Sequence, residues 1–192
     1  MPRRTDARER VLRTAGALLR SQGYHGTGLN QVLTESRAPK GSLYFHFPGG
    51  KEQLATESIE LTGAELRRLL ERLLASANTP REALHTVTEA LAAELDSSDY
   101  RDGCPIATVA LESCAGHDPV RKASEDVYRS WLNVVTDYLR DNGFDSERAK
   151  SRSVLIIAAL EGALLLAKTQ RDTAPLRTVA DQLGDLIDEE SS

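Results

Sequence analysis

The chain has 192 residues, 40% of them hydrophobic and 28% charged, with a formal net charge of −5. Those proportions fit a folded protein of ordinary size and exclude wholesale disorder. Two cysteines, Cys104 and Cys114, are too few for a secreted disulfide scaffold, and their spacing fits neither a redox CxxC pair nor a zinc set.

The net charge conceals an asymmetry. Residues 1–51 carry nine Lys or Arg against three Asp or Glu, whereas the remaining residues carry fifteen against twenty-six. A small basic head on an acidic body points to a polyanion at one end. The charged start, from Pro2-Arg3-Arg4 to Arg10, lacks the apolar core of a signal peptide. The longest apolar stretch, Val154 to Ala167, contains Glu161 and is shorter than a membrane span. No membrane association and a cytoplasmic location are therefore expected.

Apolar residues recur at helical spacing along nearly the whole chain. Thr5 or Asp6 can cap a first helix with Val11, Leu12, Ala15, Leu18 and Leu19 on one stripe, and Gly23 is placed to end it. Thr27-Gly28 opens a two-turn helix with Leu29, Val32 and Leu33 inward. Arg37-Ala38-Pro39 forms a turn, and Pro39 suits the first position of a third short helix ending near His46. A long helix follows from about Gly50 to Ser76. Thr79-Pro80 restarts the chain as a helix to about Leu95, and residues 96–103 read as a loop. Cys104-Pro105 begins a short helix to about Ala115, stopped by Gly116. Asp118 caps the next, to about Asn142-Gly143. Asp145 or Ser146 caps an eighth through the Val154–Ala167 stretch, and Thr173-Ala174-Pro175 starts a last one. The fold class expected is all-α with about nine helices: a three-helix head over residues 1–50 and a helical body over residues 51–192.

Three short helices, the second and third joined by a tight turn, make a helix-turn-helix unit whose second member enters the DNA major groove. Residue types assign the roles. The Thr27 hydroxyl and the N–H groups beside Gly28 suit a phosphate. Pro39 starts the reading helix, and Gly41 lets its backbone approach the duplex. Lys40 and Ser42 reach base edges or phosphates. Tyr44 and His46 offer donors at the groove edge, Lys51 adds a cation at a helix start, and Arg3, Arg4 and Arg8 can reach the flanking backbone or minor groove. Leu43 and Phe47 pin the helix to the head's core.

Gly23-Tyr24-x-x-Thr27, then Lys40-Gly41-Ser42-Leu43-Tyr44-x-His46-Phe47 and Lys51-Glu52-x-Leu54, resemble the DNA-binding head of the TetR family of bacterial repressors. The match spans residues 8 to 54. Ser36-Arg37-Ala38-Pro39 stands where many members have Ala-Gly-Val-Ser, and Gly28 where Ser or Thr is common. Ala38 to Tyr44 together with Gly103-Cys104-Pro105-Ile106 resemble one branch, with regulators of drug-efflux or oxidoreductase genes.

A homodimer is expected, because one helix in one groove covers few base pairs. Ile156, Ile157, Leu160, Leu164 and Leu165 with Leu176, Val179, Leu183 and Ile187 are the expected contact, paired as a four-helix bundle as in the family. The alternative is that they serve only the protomer's core. The resemblance also implies a small-molecule effector in a cavity of the body. Leu66, Leu70, Ile106, Val109, Tyr128, Trp131 and Val135 are expected to line it, with Glu161 or His117 as a polar anchor, and this lining favours a hydrophobic or aromatic ligand.

No nucleophile elbow, Walker loop or dinucleotide fingerprint occurs, and the four histidines have no metal-site spacing. No cofactor, metal or catalytic residue is expected. The rivals are a small helical enzyme or thiol sensor using Cys104 and a module docking on an acidic protein. The plainer reading of Cys104 is a small residue that helps position Pro105.

Overall fold

The computed structural model describes the backbone of residues 4–113 and 118–190, and the side chains of these except 4–6, 40, 113 and 190. The caps expected at Thr5 or Asp6, the side chains of Arg3, Arg4 and Lys40, Cys114, the Ala115-Gly116 stop and His117 lie outside the described residues. Among those described there are nine helices and no strand: α1 (Arg4–Gly26), α2 (Leu29–Glu35), α3 (Lys40–His46), α4 (Gly50–Ala75), α5 (Pro80–Ser97), α6 (Pro105–Ser113), α7 (Asp118–Asp141), α8 (Ser146–Gln170) and α9 (Ala174–Glu190). The all-α expectation holds. They form two compact units, Met1–Glu65 with Cys104–Val127 and Leu66–Gly103 with Tyr128–Ser192. The boundary expected at residue 50 falls inside the first unit, because α1 packs on α6 and its arginines pair with α4: Arg8 with Glu57, and Arg13 with Glu65.

In the first unit the α1 stripe of Val11, Leu12, Ala15 and Leu18 meets Val32 and Leu33 of α2, Leu43 of α3, Phe47 and Leu54. Leu43 and Phe47 are wholly buried, each contributing about 1.5–3 kcal/mol. Gly23 interrupts α1 at φ 74°, ψ −177°, a conformation open essentially to glycine alone. The sequence stop at Gly23 is thus a kink, after which helical geometry resumes to Gly26. Pro39 is the N-cap of α3 rather than its first residue, and Gly28 caps α2 without a side-chain bond.

The turn between α2 and α3 is a Schellman closure. The Ala38 N–H donates to the Leu33 carbonyl at 3.1 Å and the Arg37 N–H to the Thr34 carbonyl at 3.2 Å. Arg37 occupies the left-handed position at φ 53°. The backbone geometry that a glycine serves best is kept here with an arginine, which costs about 1–2 kcal/mol.

In the second unit Thr79 caps α5, accepting from the Glu82 N–H, and Pro80 follows it. Helix α5 runs to Ser97, two residues beyond the expected end, before consecutive left-handed residues Asp99 and Tyr100 turn the chain. Asp145 caps α8, accepting from the N–H groups of Glu147 and Arg148. Arg81 pairs with Asp185 and Asp188, each at 2.8 Å, and Glu89 with Arg177 at 2.8 Å. This order requires α5 and α9 to run antiparallel, so the pairs set register; exposed pairs contribute little stability.

By length and composition α8 as a whole is long and apolar enough to cross a membrane, a test that a core helix also passes, and the Val154–Ala167 stretch is only its central part. It is nevertheless a core helix on one face. Ile156 and Leu160 pack with Leu84, Val135, Leu139, Ala149, Ala180, Leu183 and Ile187, with Val179 beside them. Leu164 and Leu176 are buried as well. The residues expected at a dimer contact are therefore built largely into the protomer's own core. The apolar side chains of α8 left in water are Val154, Leu155, Leu165 and Leu166, with small Ala158 and Gly162 on the same exposed face. Leu155, Ala158, Gly162 and Leu165 fall at alternating steps of three and four, the spacing of a helix-pairing seam.

Candidate nucleic-acid interface

The Schellman turn presents α3 with its buried side on Leu43 and Phe47. Its outer face carries Gly41, Tyr44 and Phe45, which are i, i+3 and i+4 on a helix. Tyr44 is 67% exposed and Phe45 65%. Beyond its chain neighbours and the backbone of α3 itself, no atom lies within 4 Å of where a side chain would begin at Gly41, so the backbone there is bare. Ser42 and His46 are half-buried at the edges of this face, and the His46 ring meets Phe45 edge-on at 5.0 Å.

Thr27 is placed differently from expectation. It is buried, and its hydroxyl donates to the Gly23 carbonyl at 2.7 Å. Its one proton is thus committed to the kink and not to an external oxygen. Gly28 at the α2 cap leaves the first backbone N–H groups of that helix without a side-chain partner.

Lys51 donates from Nζ to the His25 carbonyl at 3.3 Å and lies 4.8 Å from the Tyr24 ring centroid. Burial pulls its ammonium below the usual lysine range, while the nearby Glu112 carboxylate pushes it back up. Burial also raises the Tyr24 phenol, with Glu52 adding to the effect. The Arg8 guanidinium pairs with Glu57 and sits 5.5 Å from the Phe47 ring, so Arg8 serves the head's own packing. Arg10 donates to the Ser36 carbonyl at 3.5 Å, bracing the turn.

Two residues escaped sequence reasoning. Phe45 carried a legible signal: it lies off the Leu43 and Phe47 stripe and on the side of Gly41. Glu112 carried none, being 87 positions from its partner, for its Oε2 accepts the His25 N–H at 2.8 Å.

Of the expected effector residues that are described, Ile106 and Val109 are wholly buried in the first unit, and Leu66, Leu70, Tyr128, Trp131, Val135 and Glu161 belong to the second. There the Tyr128 hydroxyl donates to Glu161 Oε1 at 3.2 Å, and Trp131 meets the Tyr128 ring edge-on at 5.5 Å. Val135 is part of the core, Leu70 packs against it, and Leu66 is half-buried. Cys104 is half-buried, its Sγ accepting the Ala107 N–H at 3.5 Å. Among the described residues no acidic, histidine or cysteine cluster could hold a metal ion.

Residues 11–57 match the family model for bacterial regulatory proteins of the tetR family, and residues 80–182 that for the C-terminal domain of LmrA/YxaF-like transcriptional regulators. The chain is 38% identical to the HTH-type transcriptional regulator YxaF of Bacillus subtilis, covering 97% of this chain and 98% of that one. It is 36% identical to the HTH-type transcriptional regulator LmrA of the same organism, covering 95% and 97%. In fold it is similar to the crystal structure of a regulatory protein TetR from Rhodobacter sphaeroides, with a TM-score of 0.84, 23% identity, and 93% and 97% of the two chains covered. The chain belongs to the TetR family of DNA-binding transcriptional regulators.

Proposed function

We propose that the protein is a cytoplasmic homodimeric repressor, released from a palindromic operator by a small hydrophobic or aromatic ligand. The observation that carries this reading is the outer face of α3, where a bare Gly41 backbone is flanked by exposed Tyr44 and Phe45. Lys40 and Ser42 address base edges, while Tyr44, His46 and Lys51 address phosphates. Two copies join through the uncovered α8 face, placing two heads on half-sites one helical turn apart.

The effector is taken by the body. Tyr128, Trp131 and Glu161 supply aromatic surface and a hydrogen-bonding carboxylate, which fits an aromatic ligand bearing a polar group. Binding favours a spacing of the two heads that no longer fits successive grooves. Because the coupling is reciprocal, DNA weakens the ligand by the same factor.

Selection from randomised duplexes, followed by gel-shift titration of four variants, tests the DNA reading. Lys51→Ala and Tyr44→Phe weaken all duplexes alike, whereas Lys40→Ala and Ser42→Ala change the preferred sequence. Unchanged binding in all four contradicts the assignment.

A further inference from the structure

We propose that Glu112, at the end of α6, is a positioning residue that ties this helix to the reading head by holding the backbone of His25. The inference rests on the DNA-binding reading. The junction between α1 and α2 is tied at three places. The Thr27 hydroxyl holds the Gly23 carbonyl from within the head. Lys51 of α4 holds the His25 carbonyl, and Glu112 of α6 holds the His25 N–H. His25 is thus gripped on its donor side and its acceptor side by two different helices.

Three further observations point to a placed carboxylate. Glu112 lies in the last turn of α6, where the helix dipole disfavours an acid, so a local helical role does not explain it. A side chain at Gly23 would begin 2.1 Å from Glu112 Oε1, so the kink glycine leaves the space that the carboxylate fills. The ammonium of Lys51, the expected phosphate ligand, feels the same carboxylate. Helix α6 is itself anchored by the wholly buried Ile106 and Val109 and packs against α1. A shift of α6 along its axis therefore pulls directly on the residue two positions before Thr27, moving the entry of α2 and the platform of α3 with it.

The test compares Glu112→Ala with Glu112→Gln, which keeps an acceptor oxygen. On a duplex selected by the wild type, Glu112→Ala weakens binding by about threefold to tenfold, the loss expected for one ordinary solvent-exposed hydrogen bond, and Glu112→Gln restores most of it. In amide exchange the His25 N–H is protected in wild type and Glu112→Gln and exposed in Glu112→Ala. Thermal unfolding of both variants, followed by circular dichroism, shows that neither loses the fold. If Glu112→Ala binds DNA as wild type does, or if Glu112→Gln fails to rescue, the tie is overturned. A wild-type protein that retards no duplex overturns the DNA reading instead, and the exchange experiment still reports on the His25 bond.

Discussion

Helices α3 and α8 both leave large apolar side chains in water, and the two exposures differ in kind. On α3 they are two aromatics beside a bare glycine backbone, edged by a hydroxyl and an imidazole. On α8 they are aliphatic, Val154, Leu155, Leu165 and Leu166, around small Ala158 and Gly162. The first surface mixes flat hydrophobic area with donors and suits the edges of bases and their phosphates. The second offers no hydrogen-bonding side chain among these six residues and suits only another aliphatic surface, with small residues letting two helices approach closely. On the proposed reading, exposed apolar area meets a polyanion at one place and a copy of the chain at another.

The largest expected effect sharpens the first half of that contrast. Phe47→Ala removes the wholly buried side chain that seats α3, costing about 3–5 kcal/mol. Hydrogen exchange should then show protection lost across residues 8–65 and retained in α5 and α9. Retained protection in α3 would show that the head does not depend on this anchor. Next comes Lys51→Ala, which lowers the slope of log affinity against log salt by about 1, measured by fluorescence anisotropy. An unchanged slope would mean that its contacts with His25 and Tyr24 keep it from DNA.

Arg37→Gly tests the turn. It relieves a left-handed arginine at φ 53° and raises stability by about 0.5–1 kcal/mol, part of the relief being offset by a freer denatured chain. Chemical denaturation reads the change as a shift in midpoint. The smallest effect is Gly28→Ser, which supplies the missing α2 cap for a few tenths of a kcal/mol.

The helices were legible because periodicity, Gly and Pro punctuate this chain clearly, and the Thr79-Pro80 and Asp145 starts appear where their caps require. Side-chain partners were less so. Thr27 reads as a hydroxyl at a helix entrance, yet the Gly23 kink brings a carbonyl within 2.7 Å to take its proton. Arg8 counts as head charge in the sequence, but Glu57, just past the basic segment, pairs with it. On α8 an apolar helix offers two stripes of equal appearance. Only packing against α5, α7 and α9 decides that Ile156 and Leu160 turn inward while Leu155 and Leu165 face out.

On the proposed reading, pairing through the α8 surface doubles the α3 surface. Sedimentation of the Leu155→Glu, Leu165→Glu double variant, alone and on the wild-type-selected duplex, tests it most directly. The expected result is a folded monomer against a wild-type dimer, with operator affinity reduced at least about a hundredfold. A variant that remains dimeric and binds that duplex two-to-one with undiminished affinity would contradict it.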